Sequence, residues 1–167
     1  MKKILLILVI FAIFSCSNVQ KTEFSKQALE SSLATTKASE ITFENSLVKH
    51  KGKIVLIELW ATWCGDCVKS MPKIHELQRK HPDIDYLFIS MDKSADKWKK
   101  GITKYGLKGE HLLAKDQMNG TFAKAIDLDW IPRYIIVDRT GKIAVYKAIE
   151  TDFELINKTV EELKKQQ

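Results

Sequence analysis

Eight residues constrain this chain more than any others: Trp60-Ala-Thr-Trp63-Cys64-Gly65-Asp66-Cys67. They close a run, Lys-Ile-Val-Leu-Ile-Glu-Leu-Trp over residues 53–60, that is apolar and β-branched and reads as a buried central strand. The residues that follow, 65–80, predict a helix. The cysteines therefore fall where a strand gives way to a helix N-terminus. The reactive form of cysteine is the thiolate. A helix N-terminus stabilises it with unpaired N–H groups and the positive end of the helix dipole. Such sites bring a cysteine pKa from about 8.5 down to roughly 3.5–7.5. Cys64 is the expected nucleophile, in the more exposed position. Cys67, one turn further in, is placed to attack a mixed disulfide on Cys64 and release the product.

The rest of the chain supplies a frame for that turn. Residues 84–91 read as a second continuous apolar strand, as parallel strands covered on both faces do. Strand, helix and strand make a βαβ unit. A helix is expected over residues 94–105, ended by Gly106 as a C-cap. A short segment around Leu112 and Leu113 and a helix near 119–126 come next. Residues 134–138 and 143–147 flank Arg139-Thr-Gly-Lys142, a hairpin in which Gly141 can take a positive φ. A last helix starts at Thr151, where Thr151 and Glu154 have capping-box spacing. The expected fold class is α/β.

With 167 residues, the chain has room for one domain and a tail. Its net charge of +6 is modest and spread along the sequence, so nucleic-acid binding is not expected. Three cysteines exclude a structural disulfide framework. Lys2 and Lys3 precede an unbroken apolar run over residues 4–14. A membrane-spanning helix needs about 20 residues, so this run reads as a secretory signal rather than a permanent anchor. Residues 17–39 are rich in Ser, Thr, Lys, Gln and Glu, and read as a tether with a frayed helix, with a reach of ~25 Å. The domain reading is thus residues 1–15 as signal, 16–40 as anchor and tether, and 41–167 as the folded domain.

Two resemblances sharpen this. Ile13-Phe14-Ser15-Cys16 resembles the cleavage box of bacterial lipoproteins, which implies a lipid on Cys16 and an anchor in the bilayer of the cell envelope. The Trp60–Cys67 motif resembles the thioredoxin superfamily, and more narrowly the extracytoplasmic TlpA and ResA type. Two further features carry that likeness: Pro72, five residues after Cys67, and Ile131-Pro132, just before the Tyr134 strand. The resemblance implies a thioredoxin-like fold, with a central mixed sheet flanked by helices and an extra helix–strand insertion before a cis-proline loop. It also implies a redox disulfide between Cys64 and Cys67 with no cofactor. Substrate would bind across Trp63, Gly65, Asp66, Ile131 and Pro132, pairing with the backbone of Ile131. Glu58 matches a buried acid that exchanges protons with the inner cysteine; the other reading is a strand-edge glutamate reaching solvent. Asp66 stands where the family has proline. Its charge disfavours the thiolate, while loss of the proline acts in the opposite direction. Ser70 replaces a glutamate functional in some ResA-type proteins, and Arg133 replaces a small residue and is expected to bias substrate choice.

The implied activity is reduction of disulfides in extracytoplasmic proteins, apocytochrome c among them, with electrons from a membrane thiol donor. The rivals are a disulfide oxidase or isomerase, and a non-catalytic docking or metal-delivery module. Half of a zinc site is the competing reading of the cysteines. Zinc wants four ligands, and His50, His75, His81 and His111 show no ligand spacing, so no metal is expected and the histidines are placed at the surface. Trp98, among lysines, is assigned to a solvated helix face, and Asp127 and Asp129 to solvent.

Overall fold

The computed structural model describes residues 21–166. The apolar run of residues 4–14 and Cys16 lie outside the described residues. At the centre is β3 (Val55–Trp60), buried along its whole length. It pairs in parallel with β4 (Asp85–Ser90) and antiparallel with β6 (Arg133–Val137). A strand with neighbours on both edges and helices on both faces has no polar side to show, hence its unbroken hydrophobicity apart from Glu58. Beyond β4 lies β5 (Glu110–Leu113), again parallel; beyond β6 lies β7 (Ile143–Ala148), antiparallel. Two short strands, β1 (Ser32–Thr35) and β2 (Glu40–Thr42), complete a seven-stranded mixed sheet in the order β2-β1-β5-β4-β3-β6-β7. The α/β fold is the expected one, and β5 with the helix before it supplies the extra helix–strand pair.

Residues 21–40 are not a tether. A short helix, α1 (Lys26–Glu30), is capped by Ser25, whose hydroxyl accepts from the N–H of Ala28. The strand β1 then joins the sheet edge against β5. Ala28 and Leu33, scattered among polar residues in the sequence, are fully buried. Phe24 meets Phe43 of α2 (Phe43–Lys49) edge-on with centroids 4.8 Å apart, and Phe43 meets Phe122 at 5.1 Å. This aromatic file fastens the N-terminal segment to α5 (Thr121–Ala125). Residues 21–40 therefore belong to the folded domain, and the expected start at 41 is too late.

The helix after the cysteines is α3 (Gly65–Lys80), and it continues through Pro72. Its buried residues Cys67, Ser70, Met71, Ile74 and Leu77 form one helical stripe facing the sheet. On the far side of β4 lies α4 (Ala95–Tyr105), which ends at Gly106 in the left-handed conformation, φ 59°. Here the surface assignment of Trp98 is wrong: it is 1% exposed. Trp98, Gly101, Ile102 and Tyr105 share a helical face, and the lysines around Trp98 occupy the opposite one. The last helix, α6 (Phe153–Lys165), has Asp152 at its N-cap rather than a capping box from Thr151. Asp152 turns back instead, accepting from the N–H of Ile149 at 2.9 Å.

The histidines are also more buried than expected. His50 sits between two carboxylates, Asp85 and Glu110, each at 2.8 Å. The two bonds tie the end of α2 to the starts of β4 and β5. His81 is buried and contacts Asn157 and Lys164 of α6. Both pairings join residues far apart in sequence, which no local pattern announces.

Candidate active site

The sheet brings the two cysteines to the carboxyl end of β3. The chain leaves Trp60, runs through Ala61 and Thr62, and turns into α3 at Cys64. A buried aspartate fixes this turn. Asp92, at the end of β4, accepts from the backbone N–H of Thr62 at 3.0 Å and from its hydroxyl at 2.6 Å. Ser90 donates to the same carboxylate at 2.8 Å. The sequence reading missed Asp92. Its only available signal was an acid directly after an apolar strand, which is common at strand ends.

Cys64 is the N-cap of α3, and its Sγ accepts from the backbone N–H of Cys67 at 3.1 Å. The sulfur therefore sits on the unpaired N–H groups that favour a thiolate. Cys64 and Cys67 form a disulfide, with their Cα atoms 5.3 Å apart. Cys64 is 6% exposed and Cys67 not at all. The expected order of access holds, but the opening over Cys64 is narrow.

The loop between α5 and β6 lies against this sulfur. Ile131–Pro132 is a cis peptide bond, and the carbonyl oxygen of Ile131 stands 3.5 Å from Cys64 Sγ. The side chains of Ile131 and Pro132 are buried, so Ile131 offers its backbone. Two tryptophans precede the touching residues on either side. Trp63 is 60% exposed and Trp130 is 56% exposed, and they stand out among the large apolar side chains in their exposure. Trp63 was expected at this surface; Trp130 was not singled out. Its signal was a large aromatic residue beside an X-Pro pair in a polar stretch. Gly65 is exposed, with open space where a Cβ would project. Asp66 is partly exposed and pairs with Lys69 at 3.2 Å, which offsets its charge near the cysteines.

Arg133, expected to bias substrate choice, acts on the loop itself. It is buried, and its guanidinium forms an ion pair with Asp129 across the cis-proline loop. The pair closes the loop that carries Trp130 and Ile131. Asp127 likewise pairs with Lys21. Both aspartates are exposed as expected, but neither is free.

On the same strand, two residues before Trp60, lies Glu58, 1% exposed, which removes the strand-edge reading. Burial pushes its carboxyl up to about 8. Its partner across the strand pair is Tyr134. The Tyr134 hydroxyl is near enough to favour the ionised carboxylate slightly, although it does not reach ordinary hydrogen-bond geometry with either oxygen. Ser70, one turn beyond Cys67, is buried and donates to the carbonyl of Asp66 at 2.8 Å. Among the described residues, no group of three His, Cys, Asp or Glu side chains is placed to hold a metal ion.

Known proteins share this arrangement. A family model described as thioredoxin-like matches residues 52–143. The thiol-disulfide oxidoreductase ResA of Bacillus anthracis is 30% identical over 96 residues, which cover 56% of this chain and 53% of that protein. The chain thus spans about half the length of the first such relatives. The thioredoxin-like protein YneN of Bacillus subtilis is 30% identical over 122 residues, covering 71% of this chain and 67% of its own. A solution structure from Bacteroides vulgatus, described as a candidate thiol-disulfide oxidoreductase, superposes with a TM-score of 0.65 at 33% identity. The match covers 81% of this chain and 88% of that one. The family match takes in more than half of the sequence, including the strand, the cysteine turn and the cis-proline loop. On that ground the chain belongs to the thioredoxin-like family.

Proposed function

We propose that the chain is a thiol–disulfide oxidoreductase that reduces disulfides in extracytoplasmic proteins through Cys64 and Cys67. The observation that carries this reading is the 3.5 Å approach of Cys64 Sγ to the carbonyl oxygen of Ile131. It sets the sulfur beside a backbone group to which an extended polypeptide can pair. Relatives named thiol-disulfide oxidoreductases support the activity.

The Cys64 thiolate attacks one sulfur of the target disulfide, and the other sulfur leaves as a thiolate and takes a proton. Cys67 then attacks Cys64 Sγ, and the bond to the target breaks. The target gains two electrons and the pair closes into its disulfide. Glu58 serves as base for Cys67, because a carboxyl with a pKa near 8 trades protons close to neutral pH. Trp63 and Trp130 give the target an aromatic footing on either side of the sulfur, with Gly65 and Asp66 beside it. Electrons return from a membrane thiol donor, and apocytochrome c is a candidate acceptor. The apolar run of residues 4–14 and Cys16 favour an envelope location with a lipid anchor.

Replacing Cys67 with alanine tests the activity. Targets should then accumulate as mixed disulfides on Cys64, identifiable by mass spectrometry; a variant that traps no polypeptide refutes it. Equilibration with glutathione tests the direction. A potential near that of thioredoxin, about −270 mV, supports reduction, whereas one near about −120 mV makes the chain an oxidase.

A further inference from the structure

We propose that Tyr134 and Glu150 carry protons between Glu58 and solvent, an inference that rests on Glu58 acting as the base for Cys67. A base that takes a proton in each turnover must also give it up to water. Glu58 has no direct way to do so. Both of its carboxylate oxygens are buried without a hydrogen-bond partner of ordinary geometry. Two other side-chain oxygens share that condition: the Tyr134 hydroxyl and Oε2 of Glu150. Native proteins leave few buried polar atoms unsatisfied, so several together call for a physical account.

These atoms belong to one cluster. Glu58 and Tyr134 are direct partners across β3 and β6, so their side chains leave the sheet on the same face with Cβ atoms ~5 Å apart. Tyr134 in turn pairs with Ala148 on β7, and Glu150 lies two residues further on, where the chain turns toward α6. The Tyr134 ring packs edge-on against Phe153 with centroids 5.2 Å apart. Lys73 of α3 stands 5.1 Å from the centre of that same Phe153 ring and donates to the backbone carbonyl of Glu150 at 3.4 Å. Tyr134, Phe153, Lys73 and Glu150 therefore close around one another. Glu150 is half-buried, so its carboxylate has one oxygen inside and the residue still reaches water. The groups acting on the Tyr134 hydroxyl are Glu58, Ser70 of α3 and Glu150 ahead of α6, with Lys73 over the neighbouring Phe153 ring.

The proton balance is simple. As Cys67 attacks, its S–H proton passes to Glu58. Glu58 hands a proton to the Tyr134 oxygen while Tyr134 passes its own to the Glu150 carboxylate, which exchanges with water. Burial, with Glu58 beside it, holds the phenol far above its ordinary pKa. The two transfers are accordingly concerted and no tyrosinate forms. One proton moves outward, and no electrons move along this path.

The test uses the reduced protein and dithiobis(nitrobenzoate) in stopped flow. Attack by Cys64 releases the first thionitrobenzoate, and attack by Cys67 releases the second. Tyr134→Phe keeps the ring against Phe153 and removes only the hydroxyl. Its second phase is expected to slow about tenfold at pH 7, short of the ~10²–10⁴ of a lost acid–base group, because slower openings of the fold still admit water. The midpoint of its pH profile should also move upward, since a group favouring ionised Glu58 is gone. Glu150→Gln is expected to slow the same phase. A charge effect alone would do the reverse, because removing a negative neighbour makes Glu58 easier to ionise. A second phase as fast as wild type at every pH in both variants overturns the path. Glu58→Gln, measured alongside, separates the two claims. If it slows the second phase while the other two variants do not, only the path fails. If it too leaves that phase unchanged, the base assignment fails and the path with it.

Discussion

Glu58 should make the protein lose stability as the pH rises through neutrality, and Glu58→Gln should abolish that loss. Its carboxyl is raised from 4.5 to about 8 by burial. Below pH 4.5 the folded and unfolded states both hold the proton. Between 4.5 and 8 the unfolded chain releases it and the folded chain keeps it, so stability falls with pH across that window and levels off above it. Each pH step of one across the window removes ~1.36 kcal/mol, and the full loss is about 5 kcal/mol, as large as the total stability of many domains. Glutamine has nearly the same shape and no charge. Its amide carries a packing cost, but that cost does not vary with pH. The assay is urea unfolding of the oxidised protein at pH 5, 6, 7, 8 and 9, so that Cys64 and Cys67 do not titrate. The wild type and the variant share every other titrating group, and the difference between their unfolding free energies isolates Glu58. That difference should grow in favour of the variant up to about pH 8 and then stay constant. A difference that is flat with pH would show that Glu58 is not held protonated by burial, and its role as a neutral-pH base would fall with it.

His50 should act in the same direction over a narrower range. Glu110 and then Asp85 hold its ring protonated above its ordinary value against the opposing effect of burial. The stability it supplies is complete below about pH 6.5 and lost as pH rises through the raised value. His50→Gln should lower stability at pH 6 by about 2 kcal/mol and flatten thermal midpoints between pH 6 and 8; equal midpoints would remove the triad from the account. Gly101→Ala would place a Cβ 2.4 Å from Thr62 Cγ2 and 3.2 Å from Trp60. It should cost about 1–3 kcal/mol in denaturant unfolding and disturb the Asp92-held turn, seen as slower reaction at Cys64; an unaffected turnover would mean α4 yields instead. Trp130→Ala should raise KM for a peptide disulfide several-fold while leaving reduction of a small aromatic disulfide unchanged. Equal losses on both would assign Trp130 to the loop's structure rather than to the target.

The reacting centre was legible because its signals are local. A strand, a Cys-x-x-Cys and a helix follow one another within about thirty residues, and an acid inside an apolar run stands out. The proline of the cis bond sits beside its strand. What escaped depends on partners distant in sequence. Leu33 and Ala28 are single apolar residues in a polar stretch, and only β5, some eighty residues later, gives them a core to join. His50 reads as a surface residue until the sheet delivers Asp85 and Glu110. Trp98 is different: its spacing with Ile102 and Tyr105 was present in the sequence, but the lysines between them outweighed it.

The fastening of the N-terminal segment has a geometric corollary. Lys21 is paired with Asp127, and the carbonyl of Thr22 accepts from Ile143 at 2.8 Å, so residues 21 and 22 are held against the body of the protein. Asp127 also leads directly into the loop beside Cys64, so the N-terminal segment is fastened on the flank of the reacting sulfur, and a disturbance of that fastening reaches the cis-proline loop first.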